Sequence, residues 1–313
     1  VKLAKVRPLS TDYLKNLEEW FRVELTYNSN AIEGNTLNRR ETAMVIEKGI
    51  TVKGKTLIEH LEATNHAEAI DYVKELAAST KRIELTKLDV LNIHKLILQK
   101  IDDRNAGKYR NIPVAISGSD VELPDPMLVP EQMDKFFAWL KGKSDDHPVI
   151  IAADAHYKLV TIHPFVDGNG RTARLLMNLL LMEAGYPITV IGNDKREEYI
   201  NSLEKAQTTG DMTDFYGVVV RAVDSSLDVY LGNKKPKGVK EERLLKIGEL
   251  AKATGLPTST IRYWTKEGLL KVAKTSEGGY RWYAESAAET VEKIKVLQVN
   301  RRTLDEIKRE LTL

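Results

Sequence analysis

The chain has 313 residues, 42% of them hydrophobic, with a formal net charge of +2. That is enough for two or three compact domains with real cores. It contains no cysteine, which excludes disulfides, thiolate metal sites and a cysteine nucleophile. Charge is uneven: Lys234 to Leu313 carries 18 basic against 11 acidic residues, a balance of +7 that leaves −5 on the rest. A basic tail on an acidic body points to a polyanion for the tail alone, or to a merely solvated basic face. No apolar run reaches the ~20 residues needed to cross a bilayer. The start, Val1 to Pro8, lacks the apolar core of a signal peptide, so no membrane is expected and the cytoplasm is the expected compartment.

In chain order, Thr11 to Thr26 places Leu14, Leu17, Phe21 and Leu25 close to a 3.6-residue period and predicts a helix. Asn28-Ser-Asn-Ala-Ile-Glu-Gly-Asn35 follows and reads locally as a helix end with Gly34 as its cap. Helices are predicted over 59–78, 85–99 and 131–140, and from Pro148, a residue suited to a first turn, to Val160. Tyr109 to Val121, with Val114-Ala-Ile116 before Ser117-Gly-Ser-Asp120, breaks the helical pattern. It predicts a short β-hairpin lying on the helical body as a flap. Arg171 to Ala184 is so apolar (Leu175, Leu176, Met177, Leu179, Leu180, Leu181, Met182) that it is expected to be the buried central helix. Leu231 to Lys240, basic and carrying two Gly and one Pro, reads as a linker.

The chemistry concentrates in His163-Pro-Phe-Val-Asp-Gly-Asn-Gly-Arg-Thr-Ala-Arg174. A glycine-rich loop entering a helix turns several N–H groups and the positive end of the helix dipole toward one point, which makes an anion hole suited to a diphosphate. Arg171 and Arg174, three apart, suit outer phosphates. Asp167 is a hard oxygen ligand for Mg²⁺ held jointly with a nucleotide. His163 can take a proton from an attacking hydroxyl. No Gly-Lys-Ser/Thr follows, so this is not a Walker A loop. The remaining histidines (His60, His66, His94, His147, His156) do not form a zinc spacing and read as structural or surface residues.

Residues 163–174 resemble the signature of the Fic family, His-x-Phe-x-Asp/Glu-Gly-Asn-Gly-Arg-x-x-Arg, at every fixed position, and the resemblance extends over roughly residues 1 to 230. It implies a mainly α fold: an N-terminal helical region (1–100) carrying an inhibitory motif, and a helical catalytic core (101–230) with a β-hairpin flap. The implied activity is transfer of AMP from ATP to a hydroxyl side chain of a target protein. By resemblance, His163 is the general base and Asp167 the Mg²⁺ ligand. Gly168, Asn169 and Gly170 form the phosphate cradle, Arg171 and Arg174 hold the β- and γ-phosphates, and Phe165 anchors the core. Tyr199 and Gln207 line the adenine pocket. Val114, Ala115, Ile116, Ser117 and Gly118 belong to the flap that pairs with the target's backbone. Ser29, Glu33 and Gly34 resemble the family's inhibitory motif, Ser/Thr-x-x-x-Glu-Gly/Asn, placed before the core. Glu33 is then expected to pair bidentately with Arg174 and deny it to the γ-phosphate.

Beyond a linker at 231–243, residues 244–313 read as helix, Gly-containing turn and helix, then a β-wing. Ile-Gly-Glu-Leu-Ala, Thr-Ile-Arg-Tyr, Lys-Glu-Gly-Leu-Leu and Gly-Gly-Tyr-Arg-x-Tyr resemble the winged helix-turn-helix of the MerR family. Thr258, Ser259, Thr260 and Arg262 on the second helix, with Tyr280 and Arg281 on the wing, are the DNA-contact candidates. A domain that only docks protein is the alternative. The long dimerisation helix of such regulators is not seen before Leu313, so DNA binding is expected to need a homodimer formed through the Fic core, or to be weak. Other readings of the whole stay open: a transcription regulator with a nucleotide-sensing core, transfer of another nucleotide group, or removal of AMP.

Overall fold

The computed structural model describes residues 11–79, 85–116, 118–119, 121–142, 146–232, 244–275, 280–283, 287–299, 302 and 306–307. It divides into two compact units, Val1–Lys237 and Gly238–Leu313. The division falls inside the segment 231–243, of which 233–243 lie outside the described residues. The border drawn at residue 100 lies within the first unit.

The first unit is helical. Helix α1 (Thr11–Ile32) is followed by α2 (Arg39–Lys48), α3 (Leu57–Ala78) and α4 (Lys87–Leu98). Local signals fix the starts of these last three helices. Asn38, Thr56 and Thr86 each accept the N–H three residues on, while Glu41, Glu59 and Asp89 reach back to the cap N–H: three capping boxes in succession. Helices α5 (Val129–Lys141) and α6 (Pro148–Ile162) each carry proline in the first turn, where its missing N–H costs no hydrogen bond. Then come α7 (Asn169–Glu183), α8 (Arg196–Thr209) and α9 (Thr213–Tyr230).

Helix α7 is the centre. Leu175, Leu176, Met177, Leu179 and Leu181 are fully buried, each worth about 1.5–3 kcal/mol relative to exposure. Both large cores use it: Leu176, Met177 and Leu181 pack with Val129, Phe136, Leu159 and Phe215 on one side. Leu175 and Leu179 pack with Leu17, Phe21, Ile70 and Ile97 on the other. A helix buried on nearly every side therefore lies between α6 and the α3–α4 pair, which fixes the place of its N-terminus and the loop before it.

Two expectations change. Helix α1 runs six residues past Thr26, because its last turns are polar and still buried: Asn28, Ser29 and Asn30 are all enclosed. Side-chain bonds to other helices hold them, which apolar periodicity cannot register. No strand occurs among the described residues of the predicted β-hairpin at 109–121; 117 and 120 lie outside them. A turn, with Ser119 N–H donating to Ile116 O (3.2 Å) and Gly118 at φ 77°, does reverse the chain. The arms are held instead by the first unit. Arg110 donates to Ile112 O and Pro124 O, and Ser119 Oγ to Glu204 of α8 (2.8 Å). An isolated two-stranded ladder is marginal, and these bonds take its place.

The second unit has β1 (Leu245–Lys246), α10 (Ile247–Thr254), α11 (Thr258–Lys266), β2 (Lys274–Thr275), β3 (Arg281–Tyr283) and α12 (Ala287–Val299). Its antiparallel sheet has the order β1-β3-β2, with Leu245 opposite Tyr283 and Lys274 opposite Trp282. Gly255, at φ 68°, makes the left-handed turn between α10 and α11. Leu250, Ile261, Trp264, Leu270, Tyr283, Val291 and Ile294 form a separate core. This is a winged helix-turn-helix; the wing tip, Ser276 to Gly279, lies outside the described residues.

Candidate active site

The turn between α6 and α7 builds the site. His163 ends α6 in the left-handed conformation (φ 49°, ψ 59°), uncommon for a residue with a Cβ. Its N–H closes the helix on Leu159 O (2.9 Å), and Pro164 prevents continuation. The His163 ring is half-buried, with Nδ1 3.2 Å from Val160 O. That carbonyl only accepts, so Nδ1 carries the proton and Nε2 is left with a lone pair, the form a general base needs. Burial pushes the ring below the ordinary 6.5, against the opposing pull of Val160 O, Glu33 and Asp167.

Asn169 clamps the loop that follows. Its Oδ1 accepts from Phe165 N–H (3.0 Å) and its Nδ2 donates to Phe165 O (2.9 Å), with Phe165 fully buried. Of the expected cradle of Gly168, Asn169 and Gly170, the Asn169 side chain thus braces the loop from behind, and only its backbone is left at the helix start. Gly168 opens α7 at φ 76°, and no side chain caps the helix among the described residues. The first-turn N–H groups are thus left for a ligand. Asp167 turns a 65%-exposed carboxylate outward, accepting from Gly168 N–H (2.6 Å) and Arg171 Nη2 (3.1 Å).

The arginines differ sharply. Arg171 is buried and pairs with Glu62 of α3 (2.8 Å) as well as Asp167. Arg174 is fully buried and its donors are taken. Nε donates to Ser29 Oγ (2.9 Å), Nη2 to Ser29 O (2.8 Å) and Glu33 Oε1 (2.6 Å), and Nη1 to the Tyr199 hydroxyl (3.3 Å). Burial opposes the Arg174 charge, and Glu33 and Tyr199 outweigh it, holding the guanidinium above its ordinary range. The expected bidentate pair is therefore corrected to a single carboxylate contact, with Ser29 and Tyr199 supplying the other acceptors. Glu33 Oε1 also lies against Gly170, where any Cβ would collide with it. A carboxylate thus sits over the uncapped N-terminus of α7, the position an anion would take. Gly34, at φ 100°, lets the chain turn away just beyond.

Tyr199, expected at the adenine pocket, is fully buried: its hydroxyl accepts from Arg174 and donates to His156 Nε2 (2.8 Å). Burial holds His156 down to about 3, so it is the neutral acceptor this bond requires. Gln207 is half-buried and donates to Thr161 Oγ1 (3.3 Å). In the flap segment Val114 and Ile116 are half-buried and Ala115 and Gly118 exposed, while Ser117 lies outside the described residues.

Sequence reading missed three residues. Arg110, buried, donates from Nε to His163 O (2.8 Å) while its N–H donates to Pro164 O (2.9 Å), so the flap's base and the catalytic turn are one structure. Glu62 joins Arg171 to Asn35, which donates to its other oxygen (2.9 Å). His94 lies beneath the loop. None shows in local pattern, because each partner is distant in the chain.

Magnesium fits only as a shared ion. No group of three or more His, Cys, Asp or Glu side chains able to hold a metal occurs among the described residues. Asp167 offers one exposed carboxylate, which suits an ion that takes its other ligands from phosphate and water.

On the second unit's own surface, Ser259 and Arg262 of α11 and Tyr280 and Arg281 near the wing are exposed, and Thr258 and Thr260 half-buried.

A helix start without a side-chain cap and a histidine at its edge form a candidate phosphate site in a helical core. Residues 84–181 match the Fic/DOC family, and 245–313 the MerR HTH family regulatory proteins. A "Protein adenylyltransferase Fic" of Nematostella vectensis is 41% identical over 209 residues, 66% of this chain and 48% of that protein. The structure of Fic-1 (aa134 - 508) from C. elegans superposes with a TM-score of 0.68 at 33% identity, covering 74% of this chain and 68% of that one. A Fic domain containing signaling protein from Bacteroides thetaiotaomicron gives 0.67 at 28% identity, over 76% and 96%. The chain belongs to the Fic family. It spans about half the length of the curated relatives it matches.

Proposed function

We propose that the first unit transfers AMP from ATP to a Ser, Thr or Tyr hydroxyl of a target protein, and that it rests blocked by Glu33. The observation that carries this reading is the Glu33 carboxylate lying against Gly170 and ion-paired to Arg174 (2.6 Å), where phosphate oxygens would bind. In the transfer, the target's hydroxyl oxygen attacks the α-phosphorus, the bond to the β-phosphate bridging oxygen breaks, and pyrophosphate leaves. His163 Nε2 accepts the hydroxyl proton. The first-turn N–H groups of α7, with Arg171 and Arg174, stabilise charge on the phosphates. Asp167 would hold Mg²⁺ together with the nucleotide, and the ion would supply charge neutralisation. Val114 to Ile116, outside any ladder among the described residues, leave backbone groups that suit pairing with the target's backbone.

The test is incubation with α-labelled ATP, Mg²⁺ and lysate. Wild type is expected to label weakly, Glu33→Gly strongly and Glu33→Gly/His163→Ala not at all. Equal labelling by wild type and Glu33→Gly overturns the block, and label surviving His163→Ala overturns the base. Parallel runs with labelled GTP, CTP and UTP decide the nucleotide. Loss of label from a pre-modified target on adding wild type marks the reverse reaction instead.

A second reading, DNA binding, is favoured by the winged helix-turn-helix. Arg262, Lys266 and Arg281 are among its exposed cations on the recognition helix and near the wing. Affinity that falls steeply with salt supports it, and salt-independent or undetectable binding supports a protein-docking role. Light scattering on the full chain tests for the homodimer that DNA binding would use.

A further inference from the structure

Beneath the phosphate loop lies a histidine that the proposed chemistry does not use. His94, on α4, is fully buried. Its ring stacks face to face on Phe165, with centroids 3.6 Å apart and planes 6° from parallel. Nδ1 accepts from Gly107 N–H (3.0 Å), so the ring proton resides on Nε2, which donates to Asp167 O (2.9 Å). Burial holds the ring down to about 4, which keeps it in this neutral form. The ring edge also lies under Gly168, where an added Cβ would stand 3.4 Å from Nε2 and Cδ2. Phe165, Asp167 and Gly168 thus all rest on one imidazole.

The other end of the same ring leads to the flap. Gly107, at φ 70°, lies so close to α4 that a Cβ would be 3.0 Å from Leu91 O and Lys95 Cβ. Three residues on, Arg110 holds the carbonyls of His163 and Pro164. Both ends of the catalytic turn are therefore referenced to α4: the base through Gly107 and Arg110, the phosphate loop through His94 directly.

Resting on the proposed function, we infer that His94 is a positioning residue: its two ring nitrogens set the phosphate loop and the flap base in mutual register, so that the α-phosphate and His163 meet the same hydroxyl. A rigid partner behind a catalytic group acts in this way, and small displacements there are expensive.

The test uses the full chain in the Glu33→Gly background, with AMP transfer, ATP affinity by calorimetry and amide hydrogen exchange of the nucleotide-free protein. His94→Phe keeps the stack and removes both hydrogen bonds. It is expected to lower kcat about 100-fold, the scale of a misplaced reacting group. Exchange should quicken at residues 165–171 and 107–110, with the melting curve still cooperative. His94→Gln, which can donate to Asp167 O, is expected to recover about tenfold over His94→Phe, about 1.4 kcal/mol, and to restore loop protection, on the scale of one hydrogen bond to a carbonyl. Activity of His94→Phe within about threefold of its parent, or an activity loss with unchanged exchange at the loop, overturns the inference. If His94→Phe does not fold, His94→Gln and His94→Asn decide it. Gln is expected to be more active and to bind ATP more tightly, because Asn reaches only the Gly107 side; the reverse order overturns it. An inactive Glu33→Gly parent would sink the transferase reading, and the exchange data would then decide the role of His94 alone.

Discussion

Glu62 shows how much one distant carboxylate can control. Arg171 is almost fully buried and needs a counter-charge, which Glu62 and Asp167 supply. Glu62→Gln retains an acceptor but removes charge, and is expected to lower stability by about 1–3 kcal/mol, read as a lower urea midpoint. Four histidines give a second residue-scale prediction. His66, His94, His156 and His163 are all held below 6.5 by burial; His94 sits at about 4 and His156 at about 3. Their folded forms resist protons that the unfolded chain accepts, so stability is full above pH 6.5 and falls as pH drops through 6.5 toward these values. At pH 5, His94 and His156 each account for a loss of roughly 2 kcal/mol. Denaturant titrations at pH 7.5 and pH 5 check this; a midpoint that does not move contradicts the burial argument.

At the scale of elements, the end of α1 and the flap segment are held by single residues that can be cut. Arg196 Nε donates to Ile32 O (2.7 Å), and Asn193 N–H to Asn28 Oδ1 (2.8 Å), so the start of α8 grips the last turns of α1. Arg196→Ala removes a cap from a carbonyl at the helix end and should loosen Glu33. AMP transfer is expected to rise above wild type but stay below Glu33→Gly, measured side by side with labelled ATP. Arg110 supports the flap through three carbonyls, those of His163, Ile112 and Pro124. Arg110→Lys keeps the charge but not the fork. It is expected to cut transfer about tenfold or more and to speed hydrogen exchange over 111–124, since buried carbonyls lose their donor. Transfer unchanged by Arg110→Lys would show that the flap does not depend on it.

At the scale of the molecule, each unit has its own core, one around α7 and one around Ile261, Trp264 and Tyr283. Units with separate cores unfold separately unless coupled. Calorimetry is therefore expected to show two transitions, and removal of residues 238–313 to abolish one and leave the other's midpoint within a few degrees. A single transition lost altogether on truncation would show the units to be one cooperative body.

Much of this was legible in the sequence, and its limits have a physical pattern. Residues 163–174, the helix-turn-helix and the buried α7 could be read because their determinants are contiguous: caps, glycines, prolines and a hydrophobic run act within a few residues. Ser29, Glu33 and Arg174 could be paired only through resemblance, since Ser29 and Arg174 meet across 145 positions. Tertiary structure alone decided the rest. It showed Asn169 bracing the loop, Tyr199 buried behind Arg174, and the flap segment fastened by Arg110 and Ser119 in place of a ladder. It also brought Glu62 and His94 from α3 and α4 to the loop. A buried polar group is defined by the partner that satisfies it, and no local pattern records which distant residue that partner is.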